Sequence, residues 1–157
     1  MAAQRFSITL TSPDDTAQRA AQLGRQLQAG DVILLHGDVG AGKTHFARAL
    51  IQSLLSVPED VPSPTFTLVQ TYRAADVDIW HADLYRLTSN YEVEELGLVD
   101  AFSDAICLVE WPDRLGDLAP KSALTLYLEA GPTDDARILT ARWQAPSWDG
   151  KLAMWQT

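Results

Sequence analysis

Eight consecutive residues carry the densest chemistry in this chain: Gly37-Asp38-Val39-Gly40-Ala41-Gly42-Lys43-Thr44. They satisfy G-x-x-x-x-G-K-[ST], the pattern of a loop that wraps nucleotide phosphates. Glycines at 37 and 42 permit the tight turn that aims several N–H groups at one anion. The Lys43 ammonium would reach the β- and γ-phosphates, and the Thr44 hydroxyl would ligand Mg²⁺. Lysine is scarce in this chain; the others are Lys121 and Lys151.

Hydrolysis of a bound nucleotide also needs a carboxylate near the metal, ordinarily at the C-terminal end of a neighbouring buried strand. Two acids have that setting. Ile106-Cys107-Leu108-Val109 runs into Glu110, and Ile79-Trp80-His81-Ala82 runs into Asp83. Glu110 ends the more apolar run and fits the pattern better. Ser63-Pro64-Thr65-Phe66-Thr67 is a proline-stiffened loop offering hydroxyls, suited to closing when a γ-phosphate is present. His81 and Arg86 flank Asp83, and His81 reads as a core histidine. Cys107, inside an apolar run, reads as a small core residue rather than a nucleophile.

The elements that must hold these groups follow from periodicity. Val32–Leu35 is a continuous apolar run, so Asp31–His36 is predicted as the strand feeding the loop, and Lys43–Leu55 as the helix leaving it. That helix adds partial positive charge where the phosphates would sit. Upstream, Phe6–Leu10 alternates as a strand. Ser12-Pro13-Asp14-Asp15 opens a helix, with Ser12 as N-cap and Asp15 closing a capping box, expected to run to about Gln28 and stop at Gly30. Downstream, Phe66–Tyr72 and Val77–Ala82 suggest a hairpin. Asn90–Leu98 suggests a helix capped by Asn90 or Ser89. Ala105–Val109 reads as a buried strand, and Leu124–Leu128 and Ile138–Ala141 as weaker ones. Strands and helices alternate, so the fold class is α/β: a central, mostly parallel sheet flanked by helices and extended by antiparallel pairs. Residues 1–157 are expected to form one domain.

Composition narrows the function classes. The chain has 157 residues and a net charge of −9, and its arginines are scattered rather than clustered. Gripping nucleic acid alone requires a basic surface, so direct RNA or DNA binding is not expected. There is no apolar stretch long enough to span a bilayer and no leader-like N-terminus, so no membrane role is expected. A single cysteine fits a reducing compartment, hence cytoplasm.

Taken in order, Gly37–Thr44, Ser63-Pro64-Thr65-Phe66-Thr67-Leu68-Val69, His81-Ala82-Asp83-Leu84-Tyr85-Arg86-Leu87, Glu94-Glu95-Leu96-Gly97-Leu98 and Ile106-Cys107-Leu108-Val109-Glu110-Trp111-Pro112 resemble the TsaE family. These are small bacterial P-loop ATPases of tRNA threonylcarbamoyladenosine biosynthesis, and the resemblance spans roughly residues 7 to 115. It implies a P-loop NTPase-like fold, ATP as nucleotide and Mg²⁺ held by Thr44 and Glu110. It implies phosphate contacts along Asp38, Val39, Gly40, Ala41, Gly42, Lys43, Thr44 and His45, with Asp83 and Thr65 near the γ-phosphate. Adenine would lie near Thr16 and a C-terminal arginine, for which Arg137 has the best position. The partners implied are the threonylcarbamoyl transferase subunit and its non-catalytic paralogue, with tRNA met only through that complex. The small ATPase would support repeated cycles at position 37 of tRNA without performing the transfer. His45 stands where relatives often have a small hydroxyl, and Ala82 where an aromatic is frequent.

Other uses of the same loop fit less well. A small-molecule kinase commonly carries an arginine-rich lid, and no such segment is present. Guanine selection commonly uses Asn-Lys-x-Asp, but Asn90 is followed by Tyr91. A nucleotide-gated adaptor would need the same pocket as a slow ATPase, and the residues do not separate the two.

Overall fold

The computed structural model describes residues 3–156. Seven strands form one sheet: β1 (Gln4–Leu10), β2 (Val32–His36), β3 (Val69–Ala74), β4 (Val77–Asp83), β5 (Ile106–Glu110), β6 (Leu124–Ala130) and β7 (Arg137–Trp143). Their spatial order is β1-β7-β6-β2-β5-β4-β3. The centre is parallel, with β2 between β6 and β5 and with β5 beside β4. Both margins are antiparallel: β1 on β7 and β7 on β6 at one end, β3 on β4 at the other. The architecture is the expected α/β one. Parallel central strands are covered on both faces, which is why β2 and β5 read as unbroken apolar runs.

Helices α1 (Pro13–Gly24) and α2 (Lys43–Leu54) cover one face. Ile33, Leu35, Ile79, Ile106 and Leu108 meet Phe46, Leu50 and Ile51 in the core there. Helices α3 (Asn90–Glu95) and α4 (Leu98–Ala101), with a 3₁₀ segment over Pro112–Leu118, cover the other. That core holds Val32, Leu34, Cys107 and Val109. Burying each large aliphatic side chain contributes roughly 1.5–3 kcal/mol. Burial pushes the Cys107 thiol up to about 12, which suits a packing residue and not a nucleophile.

Four elements differ from expectation. Helix α1 begins as expected, the Asp15 N–H donating to Ser12 Oγ at 3.1 Å, but the Asp15 carboxylate reaches back to the Thr11 amide at 2.9 Å. It ends at Gly24, short of Gln28, where a Cβ would lie 2.8 Å from Ser53 Oγ of α2. Residues 65–67 form a turn instead of the start of β3, and Leu68 follows with φ 69°. Gly97 (φ 79°) divides the Asn90–Leu98 segment between two short helices, and Ser89 is the N-cap of the first. After β7 the chain adds α5 (Ser147–Lys151) and a 3₁₀ turn over Ala153–Gln156, which seat the buried rings of Trp148 and Trp155 on the core of α1 and α2.

Candidate functional site

Strands β2, β4 and β5 all end at one edge, and the loop from β2 to α2 crosses it. The loop's path depends on its glycines. Gly37 has φ 154°, and a Cβ there would lie 2.8 Å from the Leu128 carbonyl oxygen. Gly42 caps α2 in the left-handed region (φ 106°) with no side chain on the first-turn amides. A Cβ at Gly40 or Gly42 would meet nothing within 4 Å, so the space the loop encloses is open. This is an open concavity over a helix N-terminus, an arrangement that favours anions, although the Ala41 N–H is already donated to the Asp38 carbonyl at 3.0 Å.

Lys43 is 5 % exposed. Its Nζ donates to the carbonyls of Gly37 and Asp38, the latter at 3.0 Å, and lies 4.1 Å from the centre of the Trp111 ring. Burial lowers its pKa, against the opposing pull of Glu110, Asp83 and Asp38. The Tyr85 ring packs on Trp111 with centroids 4.7 Å apart.

Glu110 and Asp83 are register partners at the ends of β5 and β4, both buried. Thr44 Oγ1 donates to Glu110, 2.8 Å from Oε1 and 3.0 Å from Oε2. Buried His81 lies 2.6 Å from Glu110 Oε2 through Nε2. Asp83 accepts from Thr65 Oγ1 at 3.1 Å and from the Tyr85 amide at 3.0 Å. Thr65 in turn meets Ser63 Oγ at 2.7 Å. Leu68 and Trp111, both with left-handed backbone, flank these acids. Such conformations cost on the order of 1–3 kcal/mol each and concentrate where geometry is over-determined. Lys43, Thr44, Thr65, Asp83 and Glu110 thus line one pocket of about 420 Å³ with Val39, Gly40, Gly42 and His45.

A second pocket, about 300 Å³, adjoins it at Gly40, Gly42 and His45 and is lined by Pro13, Thr16, Ala41 and Arg137. Thr16 is buried, its hydroxyl donating to Ser12 O at 3.2 Å. Arg137 braces the loop from outside, its Nε donating to Ala41 O at 3.1 Å and one terminal nitrogen to Asp134 O at 2.7 Å. The His45 ring meets the Pro13 carbonyl at 2.9 Å. The candidate residues named from the sequence therefore line two adjoining pockets, except Asp38, which lines a neighbouring cavity with His36, Gly37 and Tyr127. Two contacts were missed: Trp111 against Lys43, and His81 against Glu110. Their signals were weak, an aromatic directly after a strand-end acid and a histidine two residues before another.

The family model described as threonylcarbamoyl adenosine biosynthesis protein TsaE matches residues 10–139. This chain belongs to the TsaE family. A tRNA threonylcarbamoyladenosine biosynthesis protein TsaE of Rickettsia conorii is 40 % identical over 122 residues, covering 78 % of this chain and 70 % of that one. The protein of that name from Bacillus subtilis is 33 % identical over 128 residues, covering 81 % and 79 %. A crystal structure of YdiB from Bacillus subtilis superposes with a TM-score of 0.82 over 99 % of this chain and 97 % of that one, at 24 % identity. The family match spans the loop, both strand-end acids and Arg137, and stops before α5. Among the described residues no helix is long and apolar enough to cross a membrane.

Proposed function

We propose that this chain is an Mg²⁺-dependent ATPase serving tRNA threonylcarbamoyladenosine synthesis, acting on the transferase complex as an accessory or reset subunit. The observation that carries the reading is the bridge from Thr44, at the start of α2, to Glu110, at the end of β5, beside Asp83 and beneath an open amide loop. Hydroxyl and carboxylate oxygens are the donors Mg²⁺ prefers, and Mg²⁺ commonly takes few protein ligands while sharing the substrate's phosphates. Thr44 and Glu110 would hold that ion, which supplies neutralisation of charge on the β- and γ-phosphates.

The chain's own groups do the rest. Amides between Asp38 and His45 bind the phosphates, the Ala41 amide first leaving the Asp38 carbonyl it donates to at 3.0 Å. Lys43 leaves the Gly37 and Asp38 carbonyls and places its ammonium on the β/γ oxygens, where it stabilises charge developing during transfer to water. Asp83 orients the attacking water. The Thr65 hydroxyl, hydrogen-bonded to Asp83, couples the Ser63–Thr67 loop to γ-phosphate occupancy. Thr16 and Arg137 flank the adenine. ATP brings about four negative charges to a chain already at −9, so the cation and Lys43 are electrostatically required. The same acidity makes contact with tRNA indirect, through the transferase subunit and its non-catalytic paralogue, in the cytoplasm.

Phosphate release and multiple-turnover tRNA modification, measured with the reconstituted partners, test this. Lys43→Ala and Glu110→Ala are expected to abolish both. Wild-type hydrolysis by these variants would overturn the reading.

A further inference from the structure

His81 and Asp83 are two residues apart on β4, so both side chains project to the face that carries Ile79, Ile106 and Leu108 under α2. The His81 imidazole is fully buried. Its Nε2 lies 2.6 Å from Glu110 Oε2, whereas its Nδ1 has no hydrogen-bond partner among the described residues. That asymmetry fixes the tautomer. A carboxylate only accepts, so Nε2 carries the proton and donates it. The opposite tautomer would set a lone pair against the carboxylate and strand an N–H donor without a partner.

The two oxygens of Glu110 are therefore unequal. Oε2 takes the His81 N–H at 2.6 Å and lies 3.0 Å from Thr44 Oγ1, while Oε1 meets Thr44 alone, at 2.8 Å. We propose that His81 is a positioning residue for the metal-binding carboxylate: it pins Oε2 so that Oε1 is the oxygen that shares a divalent cation with Thr44. This rests on the reading of Thr44 and Glu110 as Mg²⁺ ligands. Carboxylates that bind metals are commonly oriented by a hydrogen-bonding neighbour, whose loss weakens metal affinity by about 10–100-fold. His81 supplies that neighbour from β4, and the β4–β5 pairing fixes its distance.

The test is equilibrium binding of a non-hydrolysable ATP analogue to the full chain, titrated with Mg²⁺ and repeated in EDTA. In His81→Leu the Mg²⁺ midpoint is expected to rise by about 10–100-fold, with affinity in EDTA unchanged. His81→Gln, whose amide N–H reaches the same oxygen, is expected to restore most of the wild-type midpoint. Adding His81→Leu to Glu110→Gln is expected to change nothing further, since the two act as one unit. Should His81→Leu show no cooperative thermal melt, His81→Asn replaces it, because its amide stops near the Nδ1 position, short of Glu110.

A wild-type midpoint in the donor-less variant would overturn the proposal. So would an equal loss with and without Mg²⁺, which marks a purely structural histidine, or failure of His81→Gln to recover. If wild-type binding ignores Mg²⁺ altogether, the metal reading itself falls and this inference falls with it.

Discussion

The pocket under Lys43 and the pocket beside Thr16 share Gly40, Gly42 and His45, yet they hold their polar groups in different ways. Under Lys43, whose own ammonium rests on the Gly37 and Asp38 carbonyls, the acids, hydroxyls and histidine are joined mainly to one another: His81 to Glu110, Glu110 to Thr44, Thr65 to Asp83. Most of these groups are buried and lie far apart in sequence. Beside Thr16, side chains lean on backbone: Thr16 on Ser12 O, His45 on Pro13 O, Arg137 on Ala41 and Asp134 carbonyls. A network of buried side chains fixes positions closely and fails when one member is lost. Contacts to main-chain carbonyls tolerate substitution better. The first arrangement suits chemistry, which is sensitive to small displacements; the second suits holding a base.

That contrast orders the expected effects. Lys43→Met should cost the most, about 10²-fold or more in ATP turnover, because it removes the cation facing the developing charge. The same variant should melt no lower than wild type. Burial lowers the lysine pKa, so the charged form is less favoured in the folded state than in the unfolded one and opposes stability at neutral pH. Turnover and thermal melts on one preparation check both halves. Asp83→Asn and Thr65→Ala should lower kcat by about 10–10²-fold with little change in ATP affinity. An equal loss in binding would mean that the acid holds the nucleotide rather than the water. Arg137→Ala and Thr16→Val should raise the ATP Kd by only a few-fold and leave kcat alone, as for groups that bind ground and transition states alike. If either variant instead abolished turnover, the division between the two pockets would be wrong.

The smallest effect expected concerns His36, at the end of β2, stacked on Tyr127 with centroids 4.7 Å apart. Burial lowers its pKa below the ordinary 6.5, with Lys43 adding to the shift and Asp113 opposing it. The unfolded chain therefore binds the proton more readily in the window just below 6.5. Stability rises with pH through that window and falls on acidification. His36→Phe keeps a ring on Tyr127 and should flatten this part of the melting profile, by about 2 °C.

Legibility in the sequence followed the same division between local and long-range determinants. The Gly37–Thr44 loop, β2 and β5 were readable because a motif and continuous apolar runs are local signals. The N-cap at Ser12 was readable for the same reason. Helix α1 stops before the Gln28–Gly30 break that the sequence offers because its end is set by the approach of Gly24 to Ser53, a contact between helices. Phe66 and Thr67 read as strand, but Leu68 takes a left-handed backbone that keeps them in a turn next to Asp83. The C-terminal tryptophans gave no regular period, and their burial depends on a surface assembled from distant segments. Within the site, each acid was visible at a strand end. The partnership of His81 with Glu110 was not, since it requires the pairing of β4 with β5.

A crystal structure of the chain with Mg²⁺ and a non-hydrolysable ATP analogue decides whether residues 37–44 hold a triphosphate. Phosphate oxygens are expected on the amides between Asp38 and His45, with Lys43 Nζ moved from the Gly37 and Asp38 carbonyls onto the β/γ oxygens and the ion held by Thr44 and Glu110. A loop without phosphate, with Lys43 still on those carbonyls at saturating nucleotide, would contradict this.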